Sequence, residues 1–280
     1  MSRKLGIRTI GASRTVRIAA ALSLALAGFA AHATVIYSNL QDPLPGNLPS
    51  LGYQATSTTE LGDHIQFAAG PRKLDSVTIT MSNWALESTY GTGGAGYLHD
   101  LTFSIYNYVN DTAAGSLITS DTINALIPWR PEADPTCPNG GTAWRATNGA
   151  CYNGLAFNVT FDFSDQNIVL PDDILFGLSF NTQSYGETPT GVSGAYNSLN
   201  YALVSASPSV GTDVNPDSLF WNTSYQPFLT TGVAGTFGAD TAWTGYVPAV
   251  RFDASAVPEP ATLALLSLGL IGLAGMRRKV

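Results

Sequence analysis

Leu101-Thr102-Phe103-Ser104-Ile105-Tyr106-Asn107-Tyr108 decides the fold class of this chain. Apolar and polar side chains alternate along it, with Leu101, Phe103 and Ile105 at every second position, the period of a strand with one buried face. Working outward, Leu74–Met81 alternates in the same way. Leu155–Phe163 does so through Phe157, Val159, Phe161 and Phe163, and Ile174–Phe180 through Ile174, Phe176, Leu178 and Phe180. Val35–Ser38, Ile65–Ala68, Ser116–Ile123, Leu199–Val204 and Val247–Phe252 are shorter candidates. Clusters of Gly, Pro, Asn and Asp separate these runs, and Gly91–Gly96 and Gly186–Gly194 read as long surface loops. No interior stretch sustains a helical period with caps. About nine short strands with turn signals between them predict an all-β protein, a single jelly-roll-like β-sandwich over residues 34–253.

Charge narrows the function. The chain has 13 basic and 20 acidic side chains. Most of the basic ones sit at the two ends. Between residues 34 and 257 only Arg72, Lys73, Arg130, Arg145 and Arg251 remain, against every acidic residue except Glu259. Such a body repels phosphate backbones, so no nucleic-acid partner is expected.

The ends read as addresses. Arg3, Lys4, Arg8, Arg14 and Arg17 precede the apolar run Ile18–Ala30, and Ala31-His32-Ala33 offers a small-x-small cleavage site. Residues 1–33 are therefore predicted to be a secretory signal helix, cleaved to leave Thr34 first. At the other end Ala261–Met276 carries no charge, and Arg277, Arg278 and Lys279 follow it as a stop. The span is read as a transmembrane helix that holds the chain in the inner membrane before processing. Residues 254–280 are thus predicted to be a linker plus tail.

Val257-Pro258-Glu259-Pro260, the apolar span and the basic end together resemble the PEP-CTERM sorting tail of Gram-negative bacterial surface proteins. The resemblance implies recognition of the Pro-Glu-Pro segment by a membrane-embedded exosortase, removal of the tail, and export in a cell that makes extracellular polysaccharide. Two prolines fix φ and remove donors, which keeps the segment extended and accessible. Phe103-Ser104-Ile105-Tyr106 with Gly115-Ser116-Leu117, and Ile168–Asp173, are similar to choice-of-anchor β-sandwich domains; that likeness carries no catalytic residue over.

Candidate chemistry in the interior is sparse. Cys137 and Cys151 are the only cysteines of an exported chain, so a disulfide between them is expected, stabilising by roughly 3 kcal/mol. His64 and His99 are the only interior histidines. Gly191-Val192-Ser193-Gly194-Ala195 lacks both the final glycine and the preceding strand of a nucleophile elbow. Glu60, Glu87, Glu132 and Glu187 give no pair at alternating strand positions for a glycosidase. Asp172-Asp173 with Asp162 and Asp165 offer hard oxygens of the kind Ca²⁺ takes, although turn chemistry is the preferred reading. Trp129 and Trp144, in the Pro-rich cysteine region, offer stacking platforms for sugar rings. The resulting expectation is an exported, non-enzymatic cell-surface or polysaccharide-matrix (biofilm) protein without a cofactor. A carbohydrate-binding module is the alternative, and a glycoside hydrolase comes third.

Overall fold

Four phenylalanines fix how the protein is built. Phe161 and Phe252 lie on strands of one sheet, Phe103 and Phe176 on strands of another, and their rings meet between them. Phe103 lies 5.4 Å from Phe161, 5.6 Å from Phe176 and 5.9 Å from Phe252. Strand alternation puts Phe103, Phe161 and Phe176 on a buried face, and Phe252 ends one of the shorter candidate strands; all four are fully buried. The computed structural model describes residues 33–91, 93–110, 113–138, 141–186, 188–216, 219–222, 236–238 and 245–257. Ala33–Ala256 forms one compact unit. It is a β-sandwich, as the alternation predicts. The expected signal helix and transmembrane helix lie outside the described residues. Among those that are described, no helix is long and apolar enough to cross a membrane.

In the first sheet β1 (Thr34–Ser38), β16 (Val250–Ser255), β4 (Lys73–Asn83), β11 (Leu199–Val204) and β15 (Val247–Pro248) are hydrogen-bonded in that order. Two more strands join it, β2 (Ser50–Gly52) on β11 and β9 (Leu155–Asp162) on β4. The second sheet runs β14 (Thr236–Gly238), β13 (Leu219–Asn222), β3 (Glu60–Gln66), β10 (Asp173–Phe180), β5 (Gly96–Asn110) and β6 (Ala113–Pro128). There β12 (Thr212–Asp213) pairs with β3. A separate ribbon joins β7 (Trp144–Arg145) to β8 (Cys151–Tyr152).

The stretch that decided the fold belongs to a longer element than expected. β5 and β6 are 15 and 16 residues long and pair antiparallel from Gly96↔Pro128 to Asn110↔Ala113, with register shifts toward the turn. The second departure is on the other face of β5 and β10. Thr102, Ser104, Tyr106, Leu175 and Ser179 are buried as well. Two of the polar groups there find side-chain partners, Thr102 with Thr122 at 2.8 Å and Tyr106 donating to Glu60 at 2.9 Å, while the buried Ser104 hydroxyl has none among the described residues. A strand buried on both faces does not show the one-sided polar pattern on which a sequence reading depends.

Candidate functional site

Two regions bear on function, the paired ends of the sandwich and the cap built on the disulfide. β1 and β16 are neighbours, with Thr34 opposite Ala254 and Ser38 opposite Arg251. Both ends of the compact unit therefore leave from one strand pair. β16 runs to Ser255, whose hydroxyl donates to Asp75 at 2.9 Å, and Ala254 is fully buried. The linker expected from residue 254 thus begins two residues later, and Val257 is exposed. Ala33 is exposed just before β1. Ala31, Pro258, Glu259, Pro260, Arg277, Arg278 and Lys279 lie outside the described residues.

Cleavage after Ala33 would leave β1 whole, because Thr34 is its first residue. N-terminal sequencing of the exported protein should therefore begin at Thr34. A sequence that retains Ile18–Ala30 would refute signal cleavage.

Cys137 and Cys151 are bonded, as expected, with Cα atoms 5.9 Å apart and a sequence separation of 14. Just before the closed loop Asp134 accepts from the Thr136 backbone at 2.7 Å, and it pairs with Arg145 inside the loop at 3.0 Å. These bonds to Thr136, with Arg145 as the lesser cause, hold the Asp134 carboxyl below the usual carboxylate range. Arg145 also donates to the carbonyls of Gly149 and Thr136. The loop is closed by many short bonds as well as by sulfur.

The two tryptophans expected to be exposed are not platforms. Trp144 is only 9% exposed, and its indole N–H donates to the Gly154 carbonyl at 2.7 Å. Trp129 is half-buried against Tyr97, 5.0 Å between centroids. Their rings pin the loop, since an indole in a polar loop gains more from packing its apolar body than from exposure. Trp84 is the exposed one, at 42%. It follows β4 directly, where alternation offers no reason to single it out. With Arg130, Thr142 and Asn153 it lines a surface depression of about 260 Å³.

Other candidates are held apart. His64 meets Asp173 at 3.2 Å and stacks on Tyr108, 3.7 Å between centroids. His99 Nε2 donates to the Asn181 carbonyl at 2.8 Å and the ring stacks on Tyr196; burial lowers its pKa below the ordinary histidine value. Asp172 pairs with Arg72 at 3.0 Å, while Asp162 accepts from the Ser164 backbone at 2.9 Å. Three of the four aspartates considered for Ca²⁺, Asp162, Asp172 and Asp173, are thus engaged separately, and the described residues contain no group of three or more His, Cys, Asp or Glu suited to a metal. Glu60 is buried under Tyr106, Glu87 is exposed on a one-turn helix and Glu132 is exposed in a loop. Glu187 lies outside the described residues.

One buried acid was not anticipated. Asp63 sits between Leu61 and Ile65 on β3, where alternation places an apolar residue, and faces the interior that Tyr37 and Tyr201 share. One carboxylate oxygen accepts from the His64 backbone at 2.8 Å, and the other has no partner, like the hydroxyls of Tyr37 and Tyr201. Burial, and then Asp213, raise its pKa well above the ordinary value. A raised pKa contributes stability that is complete below about pH 3.9 and is lost as pH rises through the folded-state value. Asp63→Asn should remove that dependence and stabilise the protein at neutral pH by about 1–3 kcal/mol, because no charge then has to form in the core. Urea denaturation from pH 4 to 8 measures it. A variant less stable than wild type at pH 8 would refute the assignment.

With the ends and the cap described, comparison with known proteins decides the route. The PEP-CTERM protein-sorting motif matches residues 256–279. The chain carries that sorting tail. The match begins at Ala256, directly after β16, so a PEP-CTERM tail follows the sandwich with almost no intervening linker. The motif marks an exported, cell-surface-directed protein and implies recognition by an exosortase. The chain matches no curated protein and no solved structure.

Proposed function

We propose that the sandwich is a non-enzymatic component of the extracellular polysaccharide matrix, delivered by the PEP-CTERM tail after signal cleavage. The sorting tail directly after β16 is the observation that carries this reading. In support, His64 and His99 are both occupied by structural partners. Glu60, Glu87 and Glu132 sit on separate elements, one of them inside the protein. Tight loops and a disulfide suit a protein that must persist outside the cell. The inner membrane is a station on the way, through the apolar span Ala261–Met276, and no cofactor is needed.

Fractionation of the native host tests the proposal. With an antibody against the sandwich, the processed protein should sediment with the polysaccharide layer. In a strain unable to make that polysaccharide it should remain in the culture supernatant. Equal partition in both strains would contradict a matrix role.

A further inference from the structure

We propose that Trp84 and Arg130 form a binding site for an acidic saccharide, a pyranose ring that carries a carboxylate. Four arginines lie among the described residues. Arg72, Arg145 and Arg251 each reach an aspartate, at 3.0, 3.0 and 2.7 Å. Arg130 reaches no carboxylate among the described residues, in a body that is strongly acidic, and it is only 9% exposed. Its Nη1 donates to the carbonyls of Thr142 (2.8 Å) and Asn153 (3.0 Å), while Nε and Nη2 have no acceptor among the described residues, and the side chain lines the depression. Those two nitrogens form the edge of the guanidinium that matches a carboxylate bidentately. The nearest acidic influence is the exposed Glu132, too far away for an ion pair, and burial is the stronger effect on the guanidinium. Among the described residues no carboxylate is paired with this buried cation.

The second half of the site is a fixed aromatic face. The Trp84 indole N–H donates to Ser82 Oγ at 3.0 Å, and Ser82 donates to Asn47 at 2.7 Å. Gly154 backs the ring: a Cβ there would lie 2.7 Å from both Trp84 Nε1 and Ser82 Oγ. The ring is therefore oriented before any ligand arrives. The C–H groups of a pyranose face carry partial positive charge and sit well on the negative face of an indole. Thr142 and Asn153 line the rest of the depression, which suits hydroxyls better than an apolar peptide anchor. The disulfide loop carries Thr142, and Asn153 lies just two positions past Cys151, so the cap has a use besides stability. The proposal rests on the matrix reading only for where such a sugar would be met.

The test uses the mature exported protein and isothermal titration calorimetry, with a glucuronate tetrasaccharide as probe and a glucose tetrasaccharide as reference. Saturable binding of the acidic probe is expected, about tenfold tighter than the neutral one. Trp84→Ala should weaken it by about tenfold, with Trp84→Phe between the two. Arg130→Lys, which keeps the charge but loses the fork, should erase most of the preference for the acid. Circular dichroism of Trp84→Ala guards against a folding effect, and the exposed position makes one unexpected. Equal affinity for both sugars, or Trp84→Ala binding like wild type, would overturn the proposal. So would displacement of the probe at equal potency by a short aspartate peptide. If wild type binds the probe yet does not partition with the matrix, the matrix role fails and the site stands. If Trp84→Ala binds no probe but still partitions like wild type, the matrix role does not depend on this site. If neither binds the probe but wild type partitions, the site fails alone.

Discussion

Gly62→Ala is expected to prevent the sandwich from forming. Gly62 lies in the middle of β3, opposite Gly177 of β10 on one side and Phe220 of β13 on the other. A Cβ at this position would sit 1.6 Å from the Phe176 carbonyl oxygen and 2.8 Å from the Gly177 Cα. These are backbone atoms in a paired strand, and no rotamer change can relieve the overlap. Moving β3 away from β10 would break a ladder that runs from Asp173↔Gln66 to Leu178↔Leu61 and shift the inward-facing Phe176. We expect a loss on the order of 4 kcal/mol or more, enough to leave little soluble folded protein. Gly177→Ala is the informative companion. The nearest atoms its Cβ would meet all belong to the Glu60 side chain, Oε1 at 2.1 Å, Cδ at 2.5 Å and Cγ at 2.7 Å, and a side chain can swing away at the cost of its bond with Tyr106. Soluble yield and urea midpoints should therefore rank wild type above Gly177→Ala and Gly177→Ala far above Gly62→Ala. A Gly62→Ala protein within 1 kcal/mol of wild type, roughly the size of an ordinary surface change, would show that β3 and β10 are not paired in this register.

Removing the disulfide is expected to have the next largest effect on stability. A closed loop of this size restricts the unfolded chain by about 3 kcal/mol. In a domain of this length that corresponds to a fall of about 6–12 °C in Tm for Cys137→Ser with Cys151→Ser. The change should stay local. The rings of Phe103, Phe161, Phe176 and Phe252 pack on one another between the two sheets, so far-UV circular dichroism should be retained. The loop's own bonds, Trp144 to Gly154 and Arg145 to Asp134, Thr136 and Gly149, remain available to the reduced chain. An unreduced digest should yield one linked peptide pair. Two alkylatable thiols, or a Tm unchanged by reduction, would contradict the structural role.

What could be read from sequence depended on whether a residue's surroundings were local. β5, β9 and β10 were legible because Phe103, Phe161 and Phe176 repeat at the strand period and one buried face demands them. β3 was found only at its end. Its first residues, Glu60-Leu61-Gly62-Asp63, mix a buried acid on each face with a glycine required by a close approach of backbones. Strands of two or three residues, such as β2, β7, β8 and β12, are too short to show any period. The disulfide followed from cysteine count and export. The Trp84 depression did not, since it joins the end of β4 to Arg130, 46 positions later, to Thr142 in the disulfide loop and to Asn153 just beyond it. Its one sequence signal was the scarcity of cations between the ends, which made any arginine there worth following. Trp129 and Trp144 drew attention because they lie in a Pro-rich loop, and packing claimed their rings.

Sorting is tested most directly at Glu259. On the proposed route the apolar span and its basic stop insert into the membrane whatever precedes them. Glu259→Ala therefore leaves insertion intact and removes the one charged feature of Val257-Pro258-Glu259-Pro260 that a processing enzyme could read. The measurement is fractionation of the native host, blotting for the sandwich by location and size. Wild type should be found released and shortened at its C-terminus, with Glu259→Ala accumulating in the membrane fraction with its tail. Release of Glu259→Ala at the size and rate of wild type would show that the Pro-Glu-Pro segment does not direct processing, and that the tail serves only as a membrane anchor.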